Sequence, residues 1–492
     1  MGSFRRFPLC HCPLLLVSSA IAQEWPVYES NPFRIPPAAE QRVSSRRGGI
    51  IVADLDGDGL LDFLLSTKEN DRGPGRATLG AYRHDGEPLW VVAVDIALEG
   101  NSQYDGLPGW CGPGFTASDL DGDGAAEVVH LDTRGAVVVR DGRSGEVRKT
   151  IPVSLPEESA YSGAKGAFRT WLDGSAKKAF KHWRSPTRWS HLQIVNLAGD
   201  RDDEVILQAD PLPFRWLKAV SLATGDTLWE NSGYVGLQHG GFRAADIDGD
   251  GYDEVVGATV LDHDGSVVRN WKYRRFPGHF DALQIADIRP DVPGLEWVLV
   301  EEGQHGGDRT TVLGKERILF SHSHRGWEPQ GIAVGDFDPA REGLEIWCRS
   351  RYESDQKPWV IDARGETIAA YRLADTKPEG WSAHGVDFMC SIDWTGGARA
   401  LLAVRERREH RRFAVMDPLD GRFVRTWVEP AARLYVVDVA GDRREEIVVV
   451  DPVHHEIRVF SNEQESAGPD GERPWSRPEY RRSKRNYNYY SP

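Results

Sequence analysis

Three stretches of this sequence carry carboxylates spaced to wrap a hard divalent cation. Asp246, Asp248 and Asp250 alternate with Ile247, Gly249 and Gly251, and Glu254 follows at the ninth position. The frame recurs at Asp54, Asp56, Asp58 and Asp62, and again at Asp119, Asp121, Asp123 and Glu127. Calcium takes roughly six to eight oxygen ligands in a flexible shell, which alternating aspartates on a Gly-rich turn can supply. An apolar run precedes and follows each copy, as Ile50–Ala53 and Phe63–Leu65 do around the first. The loop therefore joins two strands, unlike an EF-hand, which joins two helices. These twelve side chains are expected to hold structural calcium.

A second set of residues has the chemistry of proton transfer and anion recognition. His191, His239 and His279 carry imidazoles, which titrate near neutrality and suit a base or an acid. Arg349 and Arg351 carry planar guanidinium forks that can bind both oxygens of a carboxylate. Between positions 149 and 192 cations interleave with aromatics, as in Phe168–Trp171, Lys181–Arg184 and Arg188–His191. Aromatic faces stack on sugar rings, and Arg or Lys pairs with carboxylate or sulfate. Trp189, Trp327 and Tyr234 are the aromatic candidates for substrate contact.

The elements that must position these groups come from a repeat. Relatives of the acidic loop, more or less degenerate, stand at 54, 119, 196, 246, 287, 336, 393 and 438. Most are followed by a Gly-containing hairpin turn such as Asp85-Gly86, Asp264-Gly265 or Asp420-Gly421. One loop plus one hairpin makes a four-stranded unit of roughly 45 to 55 residues, the size of a propeller blade. The fold class is all-β: a β-propeller of eight four-stranded blades, with seven as the alternative, and the acidic loops on one face. The start of each first strand then lies on the opposite face, beside the end of the second. That geometry brings His191, His239, His279, Trp327, Glu328, Arg349 and Arg351 to one channel mouth.

Length and composition agree with a single large ring. The chain has 492 residues, 40% of them hydrophobic, with 17 Trp to fill a core. A formal charge of -15 argues against nucleic acid, whose phosphates need a basic face. Residues 1–22 read as a secretory signal, with Arg5 and Arg6 before a short apolar stretch and small residues at the end. The protein is expected to be secreted or periplasmic, without a membrane span. Residues 23–465 form the propeller, with 149–192 as an insertion, and the basic, aromatic segment 466–492 is expected to pack on the ring or close it. Of the five cysteines, Cys10 and Cys12 would leave with the signal, and the remaining three suit buried thiols.

The loops resemble the FG-GAP or VCBS type of calcium-binding propeller repeat. The stretch Gly278–Asp287 running into Pro293-Gly294-Leu295-Glu296 is similar to the calcium-dependent propeller type of rhamnogalacturonan lyase. Leu344–Arg351 and Tyr480–Pro492 resemble secreted propeller ulvan lyases. These resemblances imply a polysaccharide lyase acting on a uronic-acid glycan by β-elimination. A cation on the carboxylate acidifies the C5 proton, a base removes it, and an acid protonates the oxygen leaving C4. His239 and His279, assisted by His191, are expected to supply base and acid, with Arg349 on the carboxylate and Arg351, Trp327, Trp189 and Tyr234 around the sugars. The partner is an acidic polysaccharide, such as ulvan or rhamnogalacturonan, and the protein is expected to be a monomer. The alternative is a calcium-stabilised propeller that binds glycan or protein without turnover. A quinoprotein dehydrogenase, suggested by turns such as Gly225–Trp229, fits poorly because its tryptophans would recur in every blade.

Overall fold

The computed structural model describes residues 33–35, 37–38, 41, 48–68, 77–96, 115–160, 189–209, 215–237, 241–271, 279–302, 308–324, 327–351, 356–397, 399–407, 411–462 and 473–485. They form eight antiparallel four-stranded sheets. The inner strands begin at Gly49, Phe115, His191, Arg243, His279, Pro329, Val386 and Arg433, which number blades one to eight. Inner strands meet their neighbours around a ring that closes from blade eight to blade one. This is an eight-bladed β-propeller, and the seven-blade alternative falls away.

Blade eight is assembled from both ends of the described chain. Arg433–Val437, Glu446–Asp451 and Glu456–Phe460 supply three strands, and Phe33–Ile35 supplies the fourth. The pairing sets Phe33 opposite Val459 and Ile35 opposite Ile457. A three-residue strand carries no readable alternation, so the sequence did not announce this closure.

Burial explains the composition of each strand. Inner strands such as Gly49–Ala53 and His191–Val195 are buried along their whole length because a blade covers each face. The outer strand Val147–Pro152 is mostly exposed, and its Arg148 and Lys149 keep the edge from pairing with another sheet.

The core lies between blades. Ile51, Leu64 and Leu79 of blade one pack against Phe115, Ala117 and Val128 of blade two. An outer-strand side chain then docks on the next blade's hairpin. Trp90 Nε1 donates to the Gly142 carbonyl at 2.6 Å, and Trp229 Nε1 to that of His263 at 2.8 Å. Gly265 has φ +80, and a Cβ there would lie 2.6 Å from the Trp229 ring. Phe320 on Gly365 and Tyr371 on Gly421 repeat the arrangement. The hairpin glycine serves both as a turn residue and as a seat for the preceding blade's ring.

The acid that opens the second strand has one role in seven blades: it accepts the backbone N–H of the loop's second residue. The pairs are Asp62 with Leu55, Glu127 with Leu120, Glu204 with Leu197, Glu254 with Ile247, Glu296 with Ile288, Glu345 with Phe337 and Glu446 with Val439, at 2.7–2.9 Å. Blade seven has no acid at that position; Glu445 of blade eight accepts from the loop's first residue, Asp393 N, at 3.0 Å, as Asp253 of blade four does from Asn196 N at 2.8 Å. With Leu401 opening its second strand in place of an acid, that loop is the hardest to read from sequence.

Candidate active site

First and second strands run antiparallel, so each blade's first-strand start and second-strand end share the mouth opposite the acidic loops. In blade five, His279 stands opposite Glu302 and Phe280 opposite Glu301. The register then shifts between Phe280 and Ala282, leaving Asp281 as the extra, fully buried residue of a bulge. Glu301 pairs with Arg309 at 2.9 Å. Arg351, at the end of blade six's second strand, reaches Glu302 at 2.9 Å and also pairs with Glu328, which precedes that blade's first strand. Gln330 Nε2 donates to Glu302 Oε1 at 3.5 Å. Burial, then the neighbouring Glu302 carboxyl, push the Glu328 carboxyl up to about 7, against the lowering influence of Arg351.

An aromatic stack borders this cluster. Trp327 is 37% exposed, its ring 5.5 Å from Trp359, which lies 3.9 Å from His324. Lys357 Nζ sits 5.7 Å from the Trp327 centroid. Burial, with His322 adjacent, lowers the His324 imidazole to about 3, so that ring is a neutral packing element. An open indole with a cation at its face suits a sugar ring bearing a carboxylate.

The expected site residues divide sharply. Trp327 and Arg351 stand at the mouth with partly open side chains. Of His279 the backbone alone is described, and it occupies this mouth. His239 and the aromatic–basic run 168–188 lie outside the described residues. Arg349 is fully buried; its guanidinium donates to the carbonyls of Ser350 and Asp387 at 3.2 and 3.3 Å, so it braces blades six and seven. His191 is buried, its Nδ1 within 2.8 Å of Ser190 Oγ and 3.2 Å of Gln208 Nε2. Two expectations are corrected outright. Trp189 is 4% exposed and donates to the Val153 carbonyl at 3.0 Å, so it fills the seam between blades two and three. Tyr234 is fully buried and donates to the Val256 carbonyl at 2.7 Å, tying blade three to blade four. Sequence reading passed over Asp281 and Lys357; Asp281 stands two residues after His279, but a bulge leaves no mark in residue spacing.

On the opposite face the three full loops converge as their spacing predicts. Carboxylate oxygens of Asp54, Asp56 and Asp58 lie within 4.8 Å of one another, as do those of Asp119, Asp121 and Glu127, and of Asp246, Asp248 and Asp250. Asp123 turns away to Arg143 at 2.6 Å, and Glu127 takes its place. Each loop is also faced by a cationic or titratable side chain: His84 near Asp58, Arg148 on Asp121 and Glu127, Lys315 on Asp248. Glu254 Oε1 is buried with no hydrogen-bond partner among the described residues, and burial with the nearby Asp248 raises that carboxyl to about 8. A buried carboxylate oxygen beside three converging aspartates fits a divalent cation. Asp246, Asp248, Asp250 and Glu254 would hold it, and its charge would relieve their mutual repulsion.

The C-terminal helix Pro478–Arg485 lies at this loop-side end of the channel, against the inner strands of blades one, three and four. Arg482 pairs with Asp202 at 2.9 Å and Asp253 at 2.8 Å, Arg485 reaches Ser118 Oγ at 2.9 Å, and Lys484 pairs with Glu445 at 2.9 Å. A cavity of about 570 Å³ remains beside the helix, lined by Asp119, Asn196, Arg201, Trp475 and Arg481 among others.

Ring and mouth together define a β-propeller whose polar, aromatic-bordered opening suits an extended charged ligand. More particularly, the chain belongs to rhamnogalacturonan lyase family 11: the model of that family's C-terminal domain matches residues 218–468, just over half of the chain. It is 27% identical over 333 residues to rhamnogalacturonan endolyase YesW of Bacillus subtilis, covering 60% of this chain and 51% of that protein. It is 24% identical over 396 residues to rhamnogalacturonan exolyase YesX of the same organism, covering 70% of this chain and 60% of that protein. The chain thus spans 51–60% of the length of these curated relatives. The crystal structure of YesW superposes with a TM-score of 0.63 at 20% identity, over 93% of this chain and 80% of that one, which agrees on the fold.

Proposed function

We propose that this protein is a polysaccharide lyase that cleaves a uronate-containing backbone, rhamnogalacturonan in first place, by β-elimination at the mouth opposite the acidic loops. The observation that carries the reading is the charge cluster of Glu302, Arg351 and Glu328 beside the start of the His279 strand. Family membership supports it, and the relatives' substrate makes rhamnogalacturonan a better choice than ulvan.

In this reading His279, with His239, takes the C5 proton. Arg351 faces the uronate carboxylate, its fork spreading the charge that develops as the proton leaves. Arg349 positions the floor beneath it, and Trp327 stacks a flanking sugar. The electrons of the C5–H bond form the C4=C5 double bond, the C4–O bond breaks, and the departing oxygen takes a proton. Calcium in the acidic loops is structural, holding blade turns far from the reaction, and metal analysis of the purified protein tests its presence. Secretion, read from residues 1–22, suits a polymeric substrate, and nothing in the reading requires more than a monomer.

The experiment is to incubate the calcium-saturated protein with rhamnogalacturonan, ulvan and other uronate polymers and follow ultraviolet absorbance of the unsaturated product. A rise on rhamnogalacturonan is expected. Tight binding with no absorbance change on any polymer would favour the non-catalytic glycan-binding propeller instead.

A further inference from the structure

Glu302 and Glu328 share the Arg351 guanidinium, and the two carboxyls are not equivalent. Glu302 is 4% exposed at its side chain, beneath Arg351, while Glu328 is 27% exposed and reaches the opening. Glu328 also adopts φ +47, a left-handed backbone conformation rare for a residue other than glycine. Among the described non-glycine residues five have positive φ, and Asp308, Glu328 and Arg411 are in segments that border this mouth. Such conformations persist where surrounding structure enforces them, and they gather at functional sites. Here the turn brings the Glu328 carboxyl to Arg351, one residue after the exposed Trp327.

We propose that Glu328 is the catalytic acid, giving its proton to the oxygen that leaves C4, and that Glu302 is the positioning residue for that proton. The proposal rests on the lyase reading and names a group which that reading leaves open. When the C4–O bond breaks, its electron pair goes to the oxygen, which takes the proton from the Glu328 carboxyl. Glu328 is left as a carboxylate facing Arg351 and regains its proton from solvent through its exposed edge. Among the described residues, the charged groups that act on it are Glu302 from blade five and Arg351 from blade six. The Glu302 carboxyl beside it favours retention of the Glu328 proton, against the opposing influence of Arg351. The raised Glu328 carboxyl, at about 7, agrees with that balance. Burial keeps Glu302 from delivering a proton outward, so the exposed member of the pair is the donor.

The test compares wild type with Glu328→Gln on two substrates: rhamnogalacturonan, and a synthetic uronate bearing a nitrophenolate leaving group at C4, which departs without protonation. On the polymer, kcat should fall by about 100-fold or more, the order of general acid catalysis, with KM little changed, and the fall of kcat above pH 7 should disappear. On the nitrophenolate substrate the variant should run close to wild type. An equal loss on both substrates, or an unchanged kcat on the polymer, would overturn the donor role. Difference infrared spectroscopy of wild type against the variant gives a second reading that needs no turnover. The protonated carboxyl band assigned to Glu328 should persist until about pH 7; its loss by pH 5 would overturn the proposal even with an active enzyme. No turnover of the polymer by the wild type would remove the lyase reading and the donor role together, whereas an active wild type with an unaltered variant removes the donor role alone.

Discussion

At the residue scale the mouth depends on how Arg351 divides itself between Glu302 and Glu328. If that guanidinium meets the substrate carboxylate, Arg351→Ala should lower kcat/KM by about 100-fold, the order found when one transition-state charge partner is removed. Arg351→Lys should recover only part of the loss, because an ammonium cannot bind two oxygens through a fork. Steady-state kinetics on the polymer checks both. Residue type and blade geometry were enough to bring Trp327, Glu328 and Arg351 to this mouth from sequence alone. They were not enough to separate Arg351 from Arg349. Arg349 lies within the strand Glu345–Ser350 and stays under the sheet, while Arg351 lies one residue beyond its end and leaves it. Trp189 and Tyr234 misled for a related reason: aromatics that seal a seam between blades are the same residue types that stack on sugars.

At the scale of the element, two devices recur, and each makes a prediction. Gly265 carries both φ +80 and the Trp229 ring within 2.6 Å of its missing Cβ. Gly265→Ala should therefore destabilise the protein by about 1–3 kcal/mol, combining backbone strain with overpacking, read as a lower midpoint in denaturant. The carboxylate caps make stability pH-dependent. Glu296 and Glu446 cap loops outside the three converging aspartate sets, and burial first, then nearby aspartates, raise them to about 7 and about 8. A glutamate raised in the folded state from its ordinary value of 4.5 binds more protons folded than unfolded between those limits. Its contribution is complete below the unfolded value and is lost as pH rises through the folded one. In saturating calcium, Tm should therefore decline from pH 5 to pH 8.5. Glu296→Gln, whose amide oxygen can still accept the Ile288 and Arg289 N–H groups, should flatten the decline; an unchanged slope would count against this account of the caps.

For the whole molecule, closure matters at two places, the Phe33–Ile35 strand in blade eight and the C-terminal helix across the loop-side end of the channel. The helix joins distant blades through buried charge: Arg482 alone meets Asp202 and Asp253, both buried or nearly so. Arg482→Ala leaves the buried Asp253 without its cation, while Asp202 keeps Arg485 at 3.1 Å, and should cost about 3–5 kcal/mol, the range for breaking a buried pair from one side. Thermal unfolding measures it, and a loss below about 1 kcal/mol would mean the helix merely rests on the ring. Eight blades were legible because strand, acidic loop, strand and glycine hairpin recur at countable spacing. The N-terminal closure was not, since three residues hold too little pattern, and blade seven was faint because Leu401 opens its second strand where other blades carry an acid. The acidic loops marked one face, and that placed the proposed site at the mouth on the other.

The central claim is β-elimination at that mouth, and the mass of the product tests it most directly. Rhamnogalacturonan oligosaccharides digested by the calcium-saturated protein should yield fragments whose new non-reducing end is an unsaturated uronate, one water lighter than a hydrolysis product. Fragments carrying the full water, or intact oligosaccharides after prolonged incubation with the folded protein, would contradict the account.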